Sequence, residues 1–194
     1  DWQSFDDFHP MRQSLAEAGF AVLAPNFRGS TGFGREFLEA NRKDWGGGDL
    51  KDLVAGVGYL ASRREIDASR VGITGGSYGG YMTLMALTKT PKVWAAGVEA
   101  YGMPDLVQDY EITGERFRPW YDTQMGDPKT NAQLYHDRSA VHFLDRVKAP
   151  LLIFQGANDT NVPKAESELV YKKLKERGAE VELVVYPDEG HGFT

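Results

Sequence analysis

Arg70-Val71-Gly72-Ile73-Thr74-Gly75-Gly76-Ser77-Tyr78-Gly79-Gly80-Tyr81 is the stretch on which the reading of this chain turns. Arg70 to Thr74 has the β-branched, apolar character of a short buried strand. The apolar run after Ser77 reads as a helix that ends before Thr90-Pro91, because the residue before a proline is pushed out of the helical region. Between them lies Gly-x-Ser-x-Gly in the strand, turn and helix setting of a nucleophile elbow. A serine at the tip of so sharp a turn takes a strained backbone, and Gly75 and Gly79 are expected to leave no Cβ where strand and helix cross. The Tyr78 N–H, at the helix start, would face a developing negative charge. A glycine-rich turn that merely contains a serine is the plain alternative, and the flanking strand and helix weigh against it. No G-x-G-x-x-G or Walker spacing occurs, so a phosphate cradle is excluded.

Four more strands are read at Phe20 to Pro25, Trp94 to Ala100, Leu151 to Gln155 and Val181 to Tyr186. Helices are expected at Asp7 to Ala18 closed by Gly19, at Asp49 to Ala61 with Asp49 as cap, and from Pro163 to Gly178. The Asp49 helix carries Leu50, Leu53, Val54, Val57 and Leu60 on one face, which is core. The last helix turns Leu169, Val170 and Leu174 inward and pairs Glu168 with Lys172 outward. Strands alternating with helices imply an α/β fold with a doubly wound, mostly parallel sheet, whose ligands sit beyond the strands' carboxyl ends. Residues 102–149 break that rhythm, with Tyr110, Phe117, Trp120, Tyr121 and Tyr135. They read as a helical excursion over the strand ends within one domain spanning 1–194.

The 194 residues include 22 Lys+Arg, 28 Asp+Glu and no cysteine, a formal charge of −6. An acidic chain has no concentrated positive charge with which to hold nucleic acid or an anionic membrane. No apolar run approaches the roughly 20 residues of a membrane span. Without cysteine there are no disulfides or thiolate zinc sites, and the serine chemistry read below requires no metal or organic cofactor.

A serine nucleophile needs a base, and the base needs an acceptor on its far nitrogen. His191 follows the last predicted strand between Gly190 and Gly192, whereas His9, His136 and His142 lie in or beside helical stretches and read as structural. Asp159 follows the strand Leu151 to Gln155. An Asx turn or helix cap is its plain alternative, and Asp188 and Glu189 are rivals for the acid. The order Ser77, Asp159, His191, each after a strand, is that of an α/β-hydrolase.

Asn26-Phe27-Arg28-Gly29-Ser30-Thr31-Gly32-Phe33-Gly34, Gly75 to Tyr81, Asn158-Asp159-Thr160-Asn161-Val162-Pro163 and Glu189-Gly190-His191-Gly192-Phe193 resemble the catalytic domain of the prolyl oligopeptidase family of serine peptidases. The likeness is nearest to its acylaminoacyl-peptidase and dipeptidyl-aminopeptidase-like branch. Phe27 stands where Tyr is usual, and Asn161 where Arg is frequent. The resemblance implies an α/β-hydrolase fold and an acyl-enzyme on Ser77, with His191 as base and Asp159 as its orienting acid. It also implies an oxyanion hole from the Tyr78 N–H and a second N–H of a His-Gly-Gly loop. That loop is not in the chain, nor are the β-propeller and closing helix of the family, so the chain is expected to be a fragment that begins after the loop. The substrate is expected to be a peptide, and a homo-oligomer is compatible with the reading. The compartment is left open, with the cytoplasm favoured. Tyr110, with Trp120 and Tyr121, are the candidates for the substrate side-chain pocket, packing under the excursion being the equal alternative. Arg28 reads as a loop-anchoring ion pair. A carboxylesterase, or a catalytically silent binding module, would use the same fold.

Overall fold

The computed structural model describes residue 4 and residues 8–193, the side chain of residue 116 excepted. It forms two compact units, residues 1–68 and 69–194.

The first unit holds α1 (Pro10–Glu17), α2 (Arg35–Glu39) and α3 (Gly48–Ala61). Helix α1 is capped by His9 and followed by Gly19 at φ 87°, so the predicted helix is present; Asp7 lies outside the described residues. In α3, Leu50 is buried and Leu53, Val54, Val57 and Leu60 are half-buried. Asp49 is not its cap: Gly47 is, and the buried Asp49 carboxylate accepts from the Gly46 N–H, the Asn41 amide and its neighbour Leu50. The predicted strand at Phe20 to Pro25 is not formed. Residues 20–27 have no regular structure, because a strand exists only through its ladder and this segment has no ladder partner among the described residues. Leu23 rests instead on Gly56 of α3. Arg28 grips Asp52 through both carboxylate oxygens, at 2.8 and 2.7 Å, and adds its backbone N–H at 3.0 Å. The loop anchor read from the sequence is therefore present, and it holds Asp52 below the usual carboxylate range while raising Arg28.

The second unit is a four-stranded, wholly parallel sheet in the order β1 (Gly72–Gly76), β2 (Ala96–Ala100), β3 (Leu151–Gly156), β4 (Val181–Tyr186). All four strands fall on predicted runs. Helix α4 (Tyr78–Lys89) crosses from β1 to β2, and α8 (Lys164–Glu176) from β3 to β4. The parallel strands with helical crossovers meet the expected fold class. Within this unit the order runs one way without reversal, so right-handed crossovers put α4 and α8 on the same face, and both pack on the turn Leu144–Arg146. Every residue of α4 from Gly80 to Thr88 is buried, as expected of a helix that is apolar all round. The excursion after β2 forms α5 (Leu106–Ile112), α6 (Gly114–Gln124) and α7 (Ala132–Asp137), in the same unit as the sheet.

Helix α8 buries Val170 and Leu174, while Leu169 is half-buried. Pro163 is its cap rather than its first residue, with ψ 143°, and Glu168 pairs with Lys164 at 3.3 Å rather than with Lys172. No described helix is long and apolar enough to cross a membrane.

Candidate active site

A parallel sheet brings the carboxyl ends of its strands to one side, so the turns after β1, β3 and β4 converge. Ser77 follows β1 with φ 56° and ψ −118°, in the left-handed half of backbone space that non-glycine residues avoid. Its N–H donates to Ala100 O at 2.9 Å, and its carbonyl accepts from the Tyr81 N–H at 2.9 Å, so sheet and helix fix the turn from both sides. A Cβ on Gly75 would stand 2.6 Å from the Gly79 backbone, which is why strand and helix can cross there. Gly79 itself has open space where its Cβ would be. The second close approach belongs to Gly80 and Gly102: a Cβ on Gly80 would lie 2.6 Å from Ala100 O, and one on Gly102 2.4 Å from the Gly80 carbonyl carbon.

The turn after β4 is sewn to the turn after β3. Ala157 N–H donates to Tyr186 O and Asn158 N–H to Glu189 O, both at 2.9 Å, and the Asn158 amide reaches Pro187 O at 3.1 Å. Gly156 lets the two backbones touch. That stitching brings the His191 ring between the other two groups: Nε2 is 2.9 Å from Ser77 Oγ and Nδ1 is 2.8 Å from Asp159 Oδ2. With the proton on Nδ1, the ring donates to the carboxylate and offers a lone pair to the serine hydroxyl. The Asp159 side chain is fully buried whereas 23% of the His191 side chain remains exposed, so the carboxylate is shielded from water while the ring reaches the surface. Asp159 Oδ1 accepts from the Asn161 and Val162 N–H groups at 2.8 and 2.9 Å. The Asx turn expected as the alternative is thus also present, on the oxygen that His191 does not use. Asp188 is exposed, and Glu189 contributes a carbonyl to the stitching.

Tyr101, which sequence reasoning passed over, packs edge-on against the His191 ring at 4.8 Å and against Phe193 at 5.2 Å. It too has positive φ, 41°, at the end of β2. Burial raises its hydroxyl pKa, and the charges of Asp159 and Glu99 add to the effect. Buried Glu99 is pushed up to about 8 by desolvation, against the pull of the Gly102 N–H that it accepts. Burial likewise pushes Asp109 up to about 6, opposed by the hydrogen bond from Tyr121 and the charge of His191.

Tyr78 is the first residue of α4, where backbone N–H groups point out of the helix end beside Ser77. Of the aromatic candidates, Tyr121 is enclosed and donates its hydroxyl to Asp109. Tyr110 is half-buried, meets Tyr121 and Tyr135 edge-on, and donates to Asp122 at 3.0 Å, while Trp120 is largely exposed. His136 and His142 stack on each other at 4.3 Å beside Phe143, away from this constellation. No cluster of three or more His, Cys, Asp or Glu suited to a metal occurs among the described residues.

A parallel sheet that brings a serine, an aspartate and a histidine together from the ends of β1, β3 and β4, in that chain order, is the α/β-hydrolase arrangement. The chain belongs to the prolyl oligopeptidase family, which it matches over residues 6–194. It is 41% identical over 187 residues to dipeptidyl aminopeptidase BIII of Pseudoxanthomonas mexicana, covering 94% of this chain and 27% of that protein. The puromycin-hydrolyzing peptidase of Mycobacterium tuberculosis superposes with a TM-score of 0.82 at 33% identity, over 87% of this chain and 25% of that one. The acylaminoacyl peptidase of Pyrococcus horikoshii gives 0.80 at 30% identity, over 86% and 27%. The chain thus spans about a quarter of the length of these relatives.

Proposed function

We propose that the protein is a serine peptidase that cleaves oligopeptides through an acyl-enzyme on Ser77. The observation that carries this is the run of two short hydrogen bonds, 2.9 Å from Ser77 Oγ to His191 Nε2 and 2.8 Å from His191 Nδ1 to Asp159 Oδ2. Ser77 Oγ attacks the scissile carbonyl carbon as its proton passes to Nε2. The Nδ1–H stays on the ring and donates to Asp159 Oδ2, which keeps the tautomer and stabilises the imidazolium. The oxyanion that forms faces the Tyr78 N–H at the start of α4, where the helix end favours negative charge. Collapse of the intermediate breaks the C–N bond, and the leaving amine takes the proton from His191. Water then gives a proton to Nε2 and attacks the acyl carbon; the C–Oγ bond breaks as Nε2 returns that proton to Ser77 Oγ, releasing the acid and the free enzyme. Tyr110 and Trp120 keep surface with which to line the pocket for the substrate side chain, while Tyr121 supports them from beneath.

The test uses the full protein. Aminoacyl and N-acyl-aminoacyl anilides should be turned over, and Ser77→Ala should abolish that turnover together with fluorophosphonate labelling. Cleavage of simple acyl esters alone would replace the peptidase reading with a carboxylesterase. A folded protein that neither turns over nor labels would be a silent binding module.

A further inference from the structure

Behind Asp159 lies a polar chain that the proposed mechanism does not use. Gln155, near the end of β3, and Ser167, on α8, are both buried. The Gln155 amide nitrogen faces three oxygens that can only accept: Gly156 O and Val162 O at 3.1 Å and Asp159 Oδ2 at 3.4 Å. Turning the amide over would set its oxygen against all three with no proton between them, so this orientation is forced. Gln155 Oε1 then meets Ser167 Oγ at 2.7 Å, and the hydroxyl is the donor. Buried amides are retained only when such partners are supplied. Val162 is held twice, its N–H on Asp159 Oδ1 and its carbonyl on Gln155. The turn 159–162 and the oxygen that meets His191 are therefore braced from one side chain.

We propose that Gln155, itself locked by Ser167, is a positioning residue that fixes Asp159 Oδ2 on His191 Nδ1. This rests on the triad reading above. Rotation about the last bond of the Asp159 side chain carries both carboxylate oxygens together, and the two backbone donors on Oδ1 hold it only from within the four-residue turn. Gln155 adds a hold from the rigid sheet: its two amide hydrogens serve Gly156 O and Val162 O at 3.1 Å, which fixes the far end of the turn, and the nitrogen stands 3.4 Å from Oδ2, the oxygen that meets His191 Nδ1.

The experiment is a double-mutant cycle in the full protein. Gln155→Met keeps the length and removes the donor, and Ser167→Ala removes the lock. Each is made in the parent and in Asp159→Asn, with kcat and KM on a peptide anilide, the fluorophosphonate inactivation rate and the melting temperature recorded. Gln155→Met should lower kcat and the inactivation rate about tenfold with KM nearly unchanged, and Ser167→Ala should do the same more weakly. In Asp159→Asn the loss should shrink to about twofold or less, since a residue acting through Asp159 has nothing left to position. Equal losses in both backgrounds, or a lower melting temperature without a fall in kcat, would overturn the proposal. If Gln155→Met does not fold, Ser167→Ala carries the same cycle. A parent protein that neither labels nor cleaves refutes the triad reading itself, and that outcome is seen before any change at 155.

Discussion

Gly156→Ala tests whether the touching of two turns, rather than any side chain, sets the position of His191. A Cβ at 156 would stand 2.3 Å from Gly190 O and 2.6 Å from Glu189 O. Carbon and oxygen need about 3.3 Å or more, so the backbone just before His191 must retreat by about 1 Å. The obstacle is backbone rather than a flexible side-chain tip, and the Asn158 and Ala157 hydrogen bonds to Glu189 and Tyr186 resist the movement. Retreat carries the ring away from Ser77 Oγ, and a misplacement of about 1 Å costs on the order of a hundredfold in rate, or about 2.7 kcal/mol of barrier. Steady-state kinetics on a peptide anilide, with circular dichroism to verify the fold, should show kcat/KM about a hundredfold lower. Fluorophosphonate inactivation should slow in parallel. A folded Gly156→Ala protein with parental kcat/KM would refute the claim that this contact positions the base.

Asp159→Asn should preserve the fold and lower kcat about ten-thousandfold, since an amide at 159 no longer enforces the Nδ1–H tautomer; stopped-time anilide assays check it. Glu166 is buried with neither carboxyl oxygen partnered, and its pKa is raised from an ordinary 4.5 to about 9, chiefly by desolvation and then by nearby Asp109. Between those values the unfolded chain sheds a proton that the folded chain keeps, so stability is full below about pH 4.5 and is lost as pH rises towards about 9. Glu166→Met should flatten that decline, raising the melting temperature at pH 7 to 8 and leaving it nearly unchanged at pH 4.5; a parallel pH profile would contradict this. Asp52→Asn removes a half-exposed pair whose contribution is present above the ordinary carboxylate range and lost as pH falls through the depressed value. It should cost at most about 1 kcal/mol, and less in high salt, as read from denaturant midpoints.

The strands of the 69–194 unit were legible because buried parallel strands are short apolar runs, and β1 to β4 are four such runs. Phe20 to Pro25 has the same composition without becoming a strand, since composition states a preference and pairing requires a partner in space. Asp49 resembled a cap because caps and buried acceptors use the same residue types; the backbone, not the side chain, decides which it is. That Ser77, Asp159 and His191 would meet was legible from order and placement, each following a strand. The supporting parts were not. Gln155 and Ser167 look like ordinary core positions in the chain, and only the fold brings a helix hydroxyl onto a strand amide. Gly102 and Gly156 were missed, and Gly79 chosen over Gly80, because close approach depends on segments far apart in sequence. A signal was available in Gln155: a fully polar amide in an apolar strand needs buried partners, and here they lie around the acid.

The most direct test of the central claim is to locate the covalent adduct. The full protein treated with a fluorophosphonate and digested should carry one modification, on the peptide containing Ser77, and His191→Ala should slow its formation by orders of magnitude. Modification at another residue, or none in a folded and untreated-active protein, would contradict the assignment of Ser77 as nucleophile.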